Sequence, residues 1–388
     1  MKVFENLDYL HIKDLFSEEE RLVADTVRGF VEEEVIPIIA NHARDGKFPA
    51  HLIKTMGEMG LLGSSLKGYG CAGMSSVAYG LAMQELERGD SSIRSFASVQ
   101  GSLCMYPIYA YGTEAQKKKW LPAMAKGEKV GCFGLTEPDF GSNPSGMLTK
   151  AEKKNGKWII HGTKMWITNG TMADLAIVWA KVNGRIRGFI VEKGAPGFTA
   201  REVKGKLSLR ASDTAELSFD RCEIPEDNLL PETDGLKSPL GCLNQARFGI
   251  AWGALGAAHA CFYEALSYAK NRIQFEKPIA SFQLVQAKLA DMATEITKAQ
   301  LLALRVGRLK DEGRSTAAQI SMAKRNNVKI ALDVSRQARE ILGANGILDE
   351  YHAMRHMNNL ESVYTYEGTH DIHTLIIGEA VTGIPAYK

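Results

Sequence analysis

Lys157-Trp158-Ile159-Ile160-His161-Gly162-Thr163-Lys164-Met165-Trp166-Ile167-Thr168 has the aromatic and β-branched content of two strands folded around a glycine turn. Strand-like stretches continue at 175–182, 186–192, 198–203 and 215–224, divided by breakers such as Asn183-Gly184 and Pro196-Gly197. Short strands at such close spacing predict a β-barrel or sandwich. Outward from this segment the apolar period changes. Upstream, Ser17-Glu18-Glu19-Glu20 is a capping box, and Leu22, Val23, Val27, Phe30, Val31 and Val35 follow at helical spacing until Pro37 interferes. Apolar-periodic stretches recur at 51–62, 76–88, 95–111 and 114–126. Downstream, residues 251–269 are rich in Ala and Gly, which lets helices approach closely. The runs 282–312, 315–343 and 353–366 are long and amphipathic. The expected fold class is therefore α+β and multidomain, with an N-terminal helical domain (1–128), a middle β-barrel or sandwich (129–235) and a C-terminal four-helix bundle (236–388).

The 388 residues are 45% hydrophobic and 24% charged, enough to bury a large core. A net charge of +2 argues against nucleic-acid binding through a broad basic face, and Lys117-Lys118-Lys119 and Lys153-Lys154 read as solvated faces. No stretch approaches the ~20 continuous apolar residues of a membrane span. Met1-Lys2-Val3-Phe4-Glu5-Asn6-Leu7-Asp8 has early acidic residues and no apolar signal region, so a cytoplasmic location is expected. Six cysteines (71, 104, 132, 222, 242, 261) without Cys-x-x-Cys spacing read as reduced thiols. His352-x-x-x-His356 and His370-x-x-His373 lack a matching third ligand nearby, so no metal is expected.

The chemistry concentrates in Tyr366-Glu367-Gly368-Thr369-His370-Asp371-Ile372-His373. Glu367 stands where one helical stretch ends and another could begin. A carboxylate at such a break can point into a cavity and remove a proton beside a carbonyl. Taken alone, an isolated Glu-Gly reads more readily as the cap of a surface helix. Four further motifs accompany it, in order along the chain: Cys132-Phe133-Gly134-Leu135-Thr136-Glu137-Pro138-Asp139-Phe140-Gly141-Ser142, then Trp166-Ile167-Thr168, then Arg272-Ile273-Gln274-Phe275 with Pro278-Ile279 and Gln283, and finally Glu340-Ile341-Leu342-Gly343-Ala344-Asn345-Gly346. With them the chain resembles the acyl-CoA dehydrogenases from about residue 15 to its end.

That resemblance implies FAD. Phe133, Leu135, Thr136, Gly141 and Ser142 correspond to the family's flavin loop, and Trp166, Ile167 and Thr168 to the strand beside the isoalloxazine. Arg272, Phe275, Gln283, Glu340, Gly343 and Ala344 correspond to segments that reach the FAD of a neighbouring subunit, which implies a homotetramer. Thr369 and Asp371 are candidate FAD contacts. Asn143 stands where the family usually has Asp; Glu340 and Ala344 replace its Gln and Gly, and a Glu side chain would repel a phosphate. Asn244-Gln245-Ala246-Arg247 resembles the segment that holds the CoA pantetheine and phosphate end, with Ser142 on the far side; Asn244 and Arg247 are its candidate contacts.

Glu85-Leu86-Glu87-Arg88-Gly89-Asp90-Ser91-Ser92-Ile93-Arg94-Ser95-Phe96-Ala97-Ser98 resembles the glutaryl-CoA dehydrogenase branch. The resemblance places Arg94 against the substrate's distal carboxylate, a role suited to a planar, permanently charged donor. Ser95 and Ser98 can add hydroxyls, Glu87 can fold back onto Arg94, and Tyr366 and Gly368 flank the base. The implied reaction is α,β-dehydrogenation of glutaryl-CoA, with Glu367 as α-proton base and hydride passing to flavin N5. Decarboxylation to crotonyl-CoA and CO2 follows, with electrons leaving to an electron-transferring flavoprotein. The Glu367 N–H and a ribityl hydroxyl would hold the thioester oxygen. A non-decarboxylating glutaryl-CoA dehydrogenase, another short-chain acyl-CoA dehydrogenase, an acyl-CoA oxidase and a non-catalytic flavin or acyl-CoA binding scaffold are the alternatives.

Overall fold

The computed structural model describes residues 8–386; the first seven, most of the stretch read above as lacking a leader, and the last two lie outside the described residues. Helix α1 (Glu18–Phe30) starts with its capping box intact: the Glu20 N–H reaches Ser17 Oγ at 3.2 Å and the Ser17 N–H reaches Glu20 Oε2 at 2.8 Å. Pro37 does not stop the helical run. A π turn at Val31–Val35 leads into α2 (Ile36–Asp45), with Pro37 in the first turn, where a missing N–H costs nothing. The device recurs after α3 (Leu52–Glu58), α4 (Ser76–Gly89) and α5 (Ser91–Ser98). There the π turn Val99–Met105 precedes α6 (Tyr106–Tyr111) and Pro107. The wider turn removes the carbonyl that a proline ring would strike. Helix α7 (Glu114–Ala125) ends this part of the chain.

Seven strands follow: β1 (Gly131–Gly134), β2 (Lys150–Lys154), β3 (Lys157–Thr168), β4 (Leu175–Val182), β5 (Arg185–Glu192), β6 (Phe198–Glu202) and β7 (Thr214–Pro225). They make one mixed, curled sheet in the order β1-β4-β2-β3-β7-β6, with β5 paired to β4. The stretch 157–168, expected as two strands around a turn, is one continuous strand. Gly162 (φ 148°) lies inside it, because a Cβ there would stand 2.4 Å from Thr149 Oγ1. The strand bends through two register shifts against β7, at Ile160/Gly162 and Lys164/Ile167.

The C-terminal part comprises α8 (Lys237–Asn271), α9 (Gln283–Asp311), α10 (Ala317–Ile341), α11 (His352–Thr365) and α12 (His370–Thr382). Small residues let α4 press onto α8. A Cβ on Gly80 would approach Trp252 to 2.5 Å, and one on Gly256 would lie 1.8 Å from the Gln84 carbonyl oxygen. The N-terminal helices and the bundle consequently share one core, in which Val27, Val31, Leu81 and Phe96 join Trp252, Leu255, Leu304 and Ala331. Gly256→Ala is therefore expected to destabilise the fold by about 2–3 kcal/mol, because backbone must move to admit the methyl. Thermal melting checks this against Gly378→Ala on α12, where the methyl meets nothing within 4 Å and the melting temperature should hold or rise.

Candidate active site

The turn joining α11 to α12 is built to present one side chain. Glu367 and Gly368 both take left-handed backbone, φ 53° and 94°. Arg247 Nε donates to the Glu367 carbonyl at 2.7 Å, and Lys324 Nζ donates to the carbonyls of Gly368, at 2.7 Å, and Tyr366. Three successive carbonyls are thus taken by two buried cations, and among the described residues the Glu367 N–H has no acceptor. A Cβ on Gly368 would lie 3.0 Å from His373 Nε2 and 3.2 Å from Arg247. Thr369 caps α12, its Oγ1 accepting from the Ile372 N–H at 3.2 Å, and Asp371 is exposed in the first turn. Glu367 Oε2 is buried without a hydrogen-bond partner. Burial raises the Glu367 carboxyl above the usual carboxylate range, against the opposing pull of Lys324, Arg94 and Arg247.

Beside this carboxylate lies Arg94 on α5. Arg94 and Glu87 on α4 are both fully buried, with Arg94 Nε donating to Glu87 Oε2 at 2.5 Å. Another Arg94 nitrogen meets the Tyr366 hydroxyl, and the guanidinium lies 5.6 Å from that ring's centre. Its third nitrogen, Nη1, is buried without a protein partner. Burial opposes the charge, but Glu87 and then Tyr366 outweigh it and raise the Arg94 pKa. The pair fits only because residue 253 is glycine: a Cβ there would fall 2.1 Å from Glu87 Oε2 and 2.9 Å from Arg94 Nε. Asp90 fixes the helix that carries Arg94. One of its oxygens caps the Ser92 N–H at 2.8 Å, and the other accepts from Arg355 and Asn359 on α11, both at 2.9 Å. Ser95 and Ser98 are buried on α5 beside Arg94.

The second side of the site comes from the sheet. The register shift between Lys164 and Ile167 turns Lys164 inward and Trp166 outward, the latter at φ 63° and 59% exposed. Lys164 Nζ donates to Glu137 Oε1 at 2.9 Å and to the Leu135 carbonyl at 3.1 Å. Glu137 in turn accepts from the N–H groups of Leu148 (2.6 Å) and Thr149 (3.0 Å). This buried pair pins the loop after β1 beside β3, where the Met165 N–H donates to the Thr136 carbonyl at 2.9 Å. An outward indole on the strand that ends at half-buried Thr168, with half-buried Thr136 on the loop bonded to that strand, fits a planar aromatic ring with polar edge atoms, so the face suits a flavin. Phe133 and Ile167 are both buried in core, Phe133 edge-on to Trp179 at 6.0 Å. Leu135 is buried too, and Gly141 and Ser142 are exposed.

The remaining candidates lie elsewhere. Arg272 follows α8, Phe275 is 86% exposed at a hairpin tip, Gln283 opens α9, Glu340 lies in the last turn of α10, and Gly343 and Ala344 follow that helix, all of them exposed. Glu340 is on the same helix as Lys324 but roughly 25 Å further along at a helical rise of about 1.5 Å per residue, so within one chain Glu340 cannot reach Glu367. Its carboxylate pairs with Lys288 at 3.0 Å. Arg247 is buried, donates from Nε to the Glu367 carbonyl and touches Asn244 Oδ1 at 3.3 Å. Lys324, Lys164 and Gly253 escaped the sequence reading, while His373 and Glu137 stood inside quoted motifs with no role given. A charge on an apolar stripe marked Lys324, and an inward register position marked Lys164; nothing local marked Gly253.

Lys164→Met is expected to leave Glu137 buried and unpaired, a cost of about 3–5 kcal/mol that falls on the loop under the flavin face. Purified protein should then carry much less flavin absorbance per chain than wild type, with the helical circular dichroism retained.

Family models for the N-terminal, middle and C-terminal domains of acyl-CoA dehydrogenase match residues 17–128, 132–222 and 233–382. A crystal structure of glutaryl-CoA dehydrogenase from Mycobacterium smegmatis is 56% identical with a TM-score of 0.96, over 97% of this chain and 98% of that one. Another, of a glutaryl-CoA dehydrogenase from Mycobacterium smegmatis in complex with FADH2, is 51% identical with a TM-score of 0.97, over 98% and 99%. The mitochondrial short-chain specific acyl-CoA dehydrogenase of Homo sapiens is 38% identical over 367 residues, 93% of this chain and 89% of the relative.

Proposed function

The chain belongs to the acyl-CoA dehydrogenase family of flavin-dependent oxidoreductases, and on that footing we propose that it oxidises glutaryl-CoA and decarboxylates the product to crotonyl-CoA. The observation that carries the substrate is the fully buried Arg94, with one nitrogen unpartnered, next to the Glu367 carboxylate. A fatty acyl tail would leave that group desolvated for nothing; a terminal carboxylate would satisfy it. The identity to glutaryl-CoA dehydrogenases supports the same choice.

The α-proton of a thioester becomes acidic enough to remove when its oxygen is held by hydrogen-bond donors, and the Glu367 N–H is free for this. Glu367, its affinity for protons raised by burial, takes that proton. FAD bound against Trp166 supplies the acceptor for the hydride leaving the β-carbon. The γ-carboxylate of the resulting enoyl thioester is placed to depart as CO2, its electron pair passing into a dienolate. Glu367 returns its proton to the γ-carbon, which completes crotonyl-CoA. Electrons leave to an electron-transferring flavoprotein. The exposed residues from Arg272 to Phe275 and at the end of α10 serve the FAD of a neighbouring chain in a homotetramer. Mass analysis after anaerobic addition of glutaryl-CoA tests the reading: crotonyl-CoA with CO2 is expected, and glutaconyl-CoA as end product would refute decarboxylation. Preference for butyryl-CoA over glutaryl-CoA would favour the short-chain reading that the human relative supports.

A further inference from the structure

Lys324 has no place in the reaction as described. It sits on α10 among Ile320, Ala323, Asn327, Val328 and Ala331, and is 1% exposed. Burying an ammonium is costly, and its donors go to two neutral carbonyls instead of a carboxylate. Those carbonyls belong to Tyr366 and Gly368, the residues on either side of Glu367. We propose that Lys324 is the positioning residue for the base: it clamps the turn on both sides of Glu367, holds that residue in left-handed backbone, and sets the positive field in which its carboxylate releases and regains a proton.

This rests on Glu367 being the base. Left-handed backbone is disfavoured for any residue bearing a Cβ, so a Glu at φ 53° needs an external hold. Arg247 on α8 takes the carbonyl between the two that Lys324 takes. Arg94 on α5 is committed to Glu87 and Tyr366, while His373 and His370 on α12 are driven towards the neutral form, His373 to about 2, by burial and by cations including Lys324. Tyr79 on α4 also faces Glu367 and is held protonated by burial. Among these groups Lys324 alone is a cation able to titrate near neutrality. Burial brings it down to about 7, Glu367 pulls it back up, and Arg247 and Arg94 push it down. Base and clamp thus titrate as a linked pair.

The test compares Lys324→Gln, Lys324→Met and Glu367→Gln as purified flavoproteins with glutaryl-CoA and its α-deuterated form. Both Lys324 variants should keep FAD and a KM within about threefold, while kcat falls about 100-fold, the cost of a misplaced base. The deuterium isotope effect on kcat should grow. The acid limb of kcat/KM should move up by about one pH unit, because a lost cation no longer favours the carboxylate. Gln, which keeps a donor for one carbonyl, should lose less than Met, and it decides alone if the Met variant does not retain FAD. A wild-type pH profile and isotope effect in the Gln variant, with loss only in proportion to folded flavoprotein, would overturn the proposal. An active Glu367→Gln would instead overturn the base assignment beneath it.

Discussion

Glu367→Gln is expected to abolish bleaching of the flavin by glutaryl-CoA, lowering turnover by about 10²–10⁴-fold, as loss of a positioned general base does. The amide preserves the size of the side chain, and the turn is held through main-chain carbonyls that the substitution leaves in place. FAD content and glutaryl-CoA binding should therefore survive, so the loss can be read as chemistry. Stability gives an independent sign. A carboxyl whose folded pKa lies above its unfolded value of 4.5 weakens the fold as pH rises through that window, since the unfolded chain gives up the proton more readily. The Gln variant should accordingly melt above wild type at neutral pH and level with it below about pH 4. Bleaching that persists in this variant would remove Glu367 from its role.

Arg94→Gln is expected to cost glutaryl-CoA about 10²–10³ in kcat/KM while butyryl-CoA loses less than about tenfold. The charge-assisted hydrogen bonds that the substitution removes are worth roughly 3–4 kcal/mol, and only the dicarboxylate makes them. The single variant also strands Glu87, fully buried and without its cation, at about 3–5 kcal/mol of stability. Glu87→Gln/Arg94→Gln removes both charges and should recover most of the melting temperature without recovering glutaryl-CoA turnover. Equal losses for the two substrates would mean that Arg94 shapes the pocket without reading the carboxylate.

Element types were legible because they depend on neighbours in the chain. Period-two and period-3.6 patterns separated sheet from helix, and the capping box at Ser17 marked a helix start that the structure reproduces. Motifs whose residues are contiguous, such as Tyr366-Glu367-Gly368 and Trp166-Ile167-Thr168, were legible for the same reason. Boundaries set by packing were not. Pro37 looked like a stop, yet a preceding π turn absorbs it, and Gly162 looked like a turn, yet it serves a close approach to Thr149 inside one strand.

The chain's local order was sufficient for the family and the flavin, and for proposing Glu367 as the base, since those rest on residue types at short spacing. What holds that carboxylate was hidden. Lys324, Arg247 and Arg94 come from three helices far apart in sequence, and they meet at Glu367 only after α4 and α8 pack through glycines that leave room for them. A field made of distant charges is a property of distances in space, and one-dimensional order does not carry those distances.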